Sequence, residues 1–163
     1  FSNFAQIPKA RNEIFNLIDV VQNVCSLFEP SHNLSITLDV NHHNEIMVFV
    51  DKEQISRALL NLVKNGIQAI PADQKGTIRI SILKINNSAV IQISDNGIGI
   101  SDEAQENLFQ PNFTTKTSGM GLGLSIVKNI VENFGGRIWY TTKVNYGTTF
   151  FVEIPLYISG TKK

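Results

Sequence analysis

Between Thr77 and Ser94 the chain spells out a β-hairpin. Ile78, Ile80 and Ile82 alternate with Thr77, Arg79 and Ser81, Asn86-Asn87-Ser88 supplies a turn, and Ala89 to Ser94 returns. A period of two puts successive side chains on opposite faces, so this pair has an apolar face to bury. A lone hairpin is marginal in water, so the pair needs more strands and a covering layer. A second pair closes the sequence. Arg137 to Val144 and Thr148 to Leu156 flank Asn145-Tyr146-Gly147, with Phe150, Val152 and Ile154 on one face. Ile36 to Val40 and Ile46 to Val50 read as strands around a polar turn that holds His42 and His43. Strands that come as hairpins argue against a doubly wound parallel sheet.

The covering layer is helical. Ile14, Leu17, Ile18, Val21, Val24, Cys25 and Phe28 recur at three- and four-residue steps until Pro30, which predicts a first helix. A second runs from Asp51 to about Ile70, opened by an Asp51–Gln54 capping box and ended by Pro71. Ser101 caps a short helix with Asp102 and Glu103 in its first turn. Gln110 to Gly119 has no period and reads as a mobile loop. Gly121 to Phe134 is helical and stops at Gly135-Gly136. The predicted fold is α/β: a two-layer sandwich with helices on one face of a mixed, mostly antiparallel sheet.

A chain of 163 residues suits one domain. Lys and Arg balance Asp and Glu at 14 each, which gives no electrostatic reason to expect nucleic acid or an anionic membrane as partner. No apolar run approaches the roughly 20 residues that span a bilayer, so no membrane contact is expected of this segment. The single Cys25 cannot form an internal disulfide, which fits a reducing compartment and a cytoplasmic domain, whether or not its parent is membrane-anchored. The start at Phe1 rather than Met suggests a piece of a longer protein. Residues 1–12 read as a linker or the tail of an earlier helix, 13–157 as the domain, and 158–163 as a flexible tail.

Three segments carry possible chemistry. On the second helix, at about 100° per residue, Gln54, Asn61, Asn65 and Gln68 share a stripe beside an apolar face. They are either boundary amides bonded to neighbouring backbone, or a site wall with oxygens for a hard cation. Asp95-Asn96-Gly97-Ile98-Gly99 follows a strand. It is either an ordinary turn or a carboxylate set where the backbone can approach a ligand. Gly119-Met120-Gly121-Leu122-Gly123-Leu124 precedes a helix, an arrangement that suits an anion. It lacks the Lys-Ser/Thr ending of a Walker loop and follows no strand, which excludes a P-loop and argues against a dinucleotide fingerprint.

Taken in order, these segments resemble the gyrase, heat-shock chaperone and histidine kinase superfamily of ATP-binding domains. Asn61-Leu62-Val63-Lys64-Asn65 is similar to the N box, and Asp95 to Gly99 to the first glycine box. Phe109-Gln110-Pro111-Asn112-Phe113-Thr114-Thr115-Lys116 resembles the F box, Gly119 to Leu124 the second glycine box, and Gly147-Thr148-Thr149-Phe150 the final strand motif. The likeness runs from about Leu17 to Leu156.

Gyrase-like ATPases carry a Glu one turn before the metal-binding Asn, as general base for water. Here that position is Asn61, which cannot accept a proton. The histidine kinase branch fits best, and Asn112 to Lys116 resembles its nitrogen-regulation type. The resemblance implies that Asn65 coordinates Mg2+, that Asn61 supports phosphate or a metal-bound water, and that Gln68 lines the ATP site. It implies that Asp95 accepts the adenine amine, with Gly97, Gly99 and Thr148 near the base. Lys116 would reach the terminal phosphate, and Gly119, Gly121, Leu122, Gly123 and Leu124 would surround the phosphates. Asn61, Asn65 and Lys116 form the implied catalytic set. Gly66 stands where Ala is more usual, which implies a looser helix and an intact site.

The implied activity is protein-histidine kinase: the ATP γ-phosphoryl group passes to a histidine on a separate dimerisation domain of the same, homodimeric protein. A response regulator receiver domain is the implied further partner. His32, His42 and His43 lie in turn-like contexts and are expected to be surface residues rather than acceptors. Phe1 to Ala5 looks like the end of the dimerisation hairpin. A nucleotide-binding regulatory module and a gyrase-like ATPase are the competing readings.

Overall fold

Asn16 divides the first apolar segment into two elements. In a computed structural model that describes residues 9–29, 31–111 and 123–159, β1 covers Asn12–Asn16 and α1 covers Leu17–Ser26. The single helix predicted from Ile14 is therefore corrected. The Asn16 side chain caps α1 by accepting from Ile18 N–H at 3.1 Å, and it also takes the N–H of Ile46 at 2.9 Å. A short polar side chain that satisfies orphan N–H groups sets a helix start. Ile14 is left on a strand, 48% exposed.

The other elements follow in order: β2 Leu34–Asp39, β3 Met47–Asp51, α2 Lys52–Gln68, β4 Gly76–Ile85, β5 Ser88–Asp95, α3 Asp102–Gln105, α4 Gly123–Asn133, β6 Arg137–Lys143 and β7 Gly147–Pro155. Asp51 caps α2 as predicted, accepting from Gln54 N–H at 3.1 Å. Ser101 caps α3 in the same way through Ala104 N–H. Gly135, at φ +78°, turns the chain out of α4, and Gly136 N–H reaches back to the Val131 carbonyl at 3.0 Å.

The main sheet has the order β2-β4-β5-β7-β6, antiparallel throughout except for the parallel β2–β4 pair. β2 and β3 exist as predicted, but they are not partners. β3 pairs antiparallel with β1 in a small second sheet. β3 and α2 intervene between β2 and β4, the kind of crossover that parallel pairing requires. Asn41 and His42 both take positive φ after β2, and Asn41 Nδ2 donates to the Ile82 carbonyl at 3.0 Å, which holds the chain to the edge of β4.

α1, α2 and α4 pack on one face of this sheet, which fits the predicted sandwich. Ile78, Ile80 and Ile82 of β4, Ile91 and Ile93 of β5, and Phe150, Val152 and Ile154 of β7 meet Leu59, Leu62, Val127 and Ile130 from the helices. Each such side chain contributes about 1.5–3 kcal/mol on burial. Cys25 packs against the same core, and burial raises its thiol pKa. Among the described residues no helix is long and apolar enough to cross a membrane. Residues 1–8, Pro30, residues 112–122 and residues 160–163 lie outside the described residues, and with them most of the predicted mobile loop from Gln110 to Gly119.

On the opposite face of the sheet Trp139 stacks on Phe151, and Arg137 pairs with Glu153 at 2.8 Å. The Arg137 guanidinium, helped by Ser88, holds the Glu153 carboxyl below its ordinary pKa. The folded-state pKa is depressed, so the pair stabilises above the ordinary carboxylate range and fades as pH falls through the lowered value. Arg137 is 70% exposed, which limits the effect to about 0.5 kcal/mol. Melting curves of Arg137→Gln should lie below the parent at neutral pH and converge with it in acid. A pH-independent gap would remove the pair as the cause.

Candidate functional site

Four segments meet at the end of β5. Asp95, the last residue of that strand, accepts from Gly97 N–H at 2.8 Å and from Thr148 N–H at 3.3 Å, both through Oδ1. The first bond closes a turn of the Asx type, and the second ties the turn to the start of β7. Gly147 passes directly against the Asp95 carbonyl. The chain cannot come that close with a side chain at 147.

α2 closes on the other side. A Cβ on Gly66 would sit 3.1 Å from Ile78 Cδ1, 3.3 Å from Asp95 Cβ and 3.4 Å from Asp95 Oδ2. The glycine therefore does more than loosen the helix: it lets α2 approach β5 at the carboxylate. A Cβ on Gly97 would lie 2.6 Å from the Ala69 carbonyl oxygen, which also accepts from Ile98 N–H at 3.0 Å. Gly99 has φ +75° and runs against the Lys143 carbonyl. The 95–100 turn is thus clamped between the end of α2 and the β6–β7 connection, where Asn145 N–H donates to the Ile98 carbonyl at 2.7 Å.

Asn65 brings in the fourth segment. Its Nδ2 would be 3.9 Å from a Cβ on Gly123, the first residue of α4. The amide thus lies by a helix N-terminus, where backbone N–H groups favour anions. Asn61, one turn earlier, is half-buried like Asn65. Gln68 is exposed at the last position of α2. Leu124 is half-buried and packs on the core. Asn65, Asp95, Gly97, Gly99, Gly123 and Thr148 are therefore gathered at this end of the sheet. Lys116, Gly119, Gly121 and Leu122 lie outside the described residues. His32 and His42 are exposed, and His43 is half-buried.

Two residues organise the site in roles that the motifs did not give them. The Asn96 side chain accepts from Thr77 N–H and donates to the Lys75 carbonyl, each at 2.9 Å, and so bonds the turn to the start of β4. Thr142 Oγ1 accepts from Ile100 N–H at 3.0 Å and lies 2.8 Å from Thr148 Oγ1. The second follows from the observed register, in which Lys143 pairs with Gly147 and Thr142 with Thr148.

Residues 50–158 match the family described as histidine kinase-, DNA gyrase B- and HSP90-like ATPase. Sporulation kinase B of Bacillus subtilis is 32% identical over 158 residues, 94% of this chain and 37% of that protein. Nitrogen regulation protein NtrY of Azorhizobium caulinodans is 34% identical over 143 residues, 85% of this chain and 18% of that protein. The chain thus spans well under half the length of these curated relatives. The solved catalytic domain of histidine kinase ThkA superposes with a TM-score of 0.79 at 34% identity, covering 89% of this chain and 95% of that one. ThkA in complex with response regulator TrrA gives a TM-score of 0.77 at 29% identity, covering 94% of this chain and 44% of that one. With Asp95, Asn65 and the start of α4 brought together on this fold, the chain belongs to that ATPase family, as the catalytic ATP-binding domain of a sensor histidine kinase.

Proposed function

We propose that this domain binds Mg-ATP and passes the γ-phosphoryl group to a histidine on the dimerisation domain of its own homodimeric protein, from which a response regulator receiver domain takes it. The observation that carries the reading is the convergence of Asp95, Thr148, Asn65 and Gly123 at one end of the sheet. Asp95 accepts the adenine amine, while Gly97, Gly99 and Thr148 bring backbone close to the base. Gly123 and Leu124, with Gly119, Gly121 and Leu122 before them, offer N–H groups to the phosphates at the start of α4. Lys116 supplies charge at the terminal phosphate. Asn61 and Gln68 complete the α2 wall.

Mg2+ fits this donor set. Magnesium keeps most of its waters and takes one or two protein oxygens plus phosphate oxygens. Asn65, whose side-chain amide lies by Gly123 at the start of α4, would supply one such oxygen. Among the described residues no cluster of three or more His, Cys, Asp or Glu forms a resident metal cage. The ion supplies charge neutralisation on the phosphates. In the transfer, the neutral imidazole nitrogen forms the new N–P bond as the bond from the γ-phosphorus to the β,γ-bridging oxygen breaks and ADP leaves. The protein contributes positioning and electrostatics. Asn61 cannot take a proton from water, so hydrolysis is slow.

Labelled ATP tests this with the chain alone, the parent's dimerisation hairpin alone, and the two mixed. The mixture should form an acid-labile, base-stable phosphoryl group, and the chain alone should stay unlabelled. Labelling should survive replacement of His32, His42 and His43 together. Brisk hydrolysis by the chain alone would support a gyrase-like ATPase. ATP binding without transfer to a folded hairpin would support a regulatory module.

A further inference from the structure

We propose that Thr142, without touching nucleotide, fixes the donor and acceptor pattern of the base-binding corner and so enforces the choice of ATP over GTP. The proposal rests on the reading that Asp95 and Thr148 hold the adenine. Thr142 Oγ1 has three hydrogen-bond partners. Ile100 N–H lies at 3.0 Å, the Gly147 carbonyl oxygen at 3.2 Å, and Thr148 Oγ1 at 2.8 Å.

A hydroxyl offers one proton and two lone pairs. The Ile100 N–H takes one lone pair. The Gly147 oxygen can only accept, so it takes the Thr142 proton. The last lone pair can then be met only by the proton of Thr148. With all three bonds made, this assignment is unique. Thr148 has given its proton to Thr142 and its N–H to Asp95 Oδ1. Its hydroxyl shows only lone pairs to anything else that lies against it.

Asp95, as a carboxylate, is also acceptor-only. The corner they share therefore suits an exocyclic amine that meets it directly. It opposes the guanine carbonyl, which would set lone pairs against lone pairs. Thr148 is 5% exposed, so bulk water cannot easily stand in for a lost partner. Thr142 is a positioning residue in a second sense as well, because its bond to Ile100 N–H closes the far end of the 95–100 turn.

Thr142→Val removes the hydroxyl at nearly constant volume. Thr148 can then turn its proton toward the base and accept a carbonyl. The ratio of ATP to GTP affinity, measured by calorimetry, should fall about tenfold, the equivalent of one hydrogen bond. Thr142→Ser should keep the ratio within about twofold of the parent. In the assembled kinase the change should appear in KM, with kcat held, because the base end is remote from the transferring phosphorus. A merely structural role would weaken both nucleotides together and leave the ratio unchanged, which overturns the proposal. If the Val variant does not fold, Thr142→Cys, whose thiol is a poor donor and acceptor, carries the same comparison. Without nucleotide, the Ile100 amide should exchange faster in the Val or Cys variant than in the Ser variant, and equal rates would remove Thr142 from control of the turn. A parent with no preference for ATP defeats the adenine reading itself. A parent that prefers ATP with an unchanged ratio in the Val variant defeats only the role of Thr142.

Discussion

Asp95→Asn should cost this domain about 10- to 150-fold in ATP affinity, the loss of a charge-assisted hydrogen bond of about 1.5–3 kcal/mol. The geometry also gives the direction of the change in selectivity. Asp95 Oδ1 takes N–H groups from Gly97 and Thr148. An Asn at this position must keep its oxygen there, because an amide N–H facing two N–H groups is repelled. Its NH2 is then forced toward the base. That group opposes the adenine amine and accepts the approach of a guanine carbonyl, so preference should shift toward GTP. Titration of parent and variant with both nucleotides measures the effect. Equal ATP and GTP affinity in the parent would displace Asp95 from the base.

Asn65→Ala should abolish the gain in ATP affinity that Mg2+ provides and reduce transfer to the dimerisation hairpin by about a hundredfold or more. Loss of groups that only support a metal ligand already costs roughly 10- to 100-fold. ADP affinity in chelator should change little, because the base is held at Asp95, across Gly66 from the substituted side chain. Ala is a better helix former than Asn by a few tenths of a kcal/mol. A melting curve will show whether the lost amide contacts outweigh that gain. The comparison is ATP and ADP affinity with Mg2+ and with chelator. A variant that still tightens with Mg2+ would take Asn65 out of the metal site.

The sequence reads well where one local pattern has one structural meaning. β4 and β5 were legible because Ile78, Ile80 and Ile82 alternate beside Asn86-Asn87, and α2 because Asp51 and Gln54 announce its start. β1 was not, because Ile14 fits both helical spacing and strand alternation. What decides between them is Asn16, and two of the three hydrogen bonds of its side chain go to Asn44 and Ile46, 28 and 30 residues away. The partner of β2 is likewise non-local: nothing between Leu34 and Asp39 says that Gly76–Ile85 will lie beside it. At the site, the carboxylate, the glycines and the amides showed through as motifs. Thr142 did not, because a Thr in a strand is ordinary β composition. Its role appears only when register sets it against Thr148 and the 95–100 turn closes onto it.

The position of β7 between β5 and β6 also constrains biosynthesis. Thr148 leaves the ribosome 53 residues after Asp95, and with Gly147 it is what pins the Asp95 turn from the β7 side. A nascent chain that has reached α4 therefore holds the carboxylate and the amides but only part of the base pocket, so nucleotide cannot yet stabilise it by mass action. Over that interval β5 presents an unpaired, apolar edge, the kind that recruits other chains. Emergence of Pro155 from the ribosome ends the exposure, because β7 then pairs with β5 from Ser88 to Ser94. Arrest with the chain emerged only to between Asn133 and Gly147 should consequently promote aggregation, and added ATP should not relieve it.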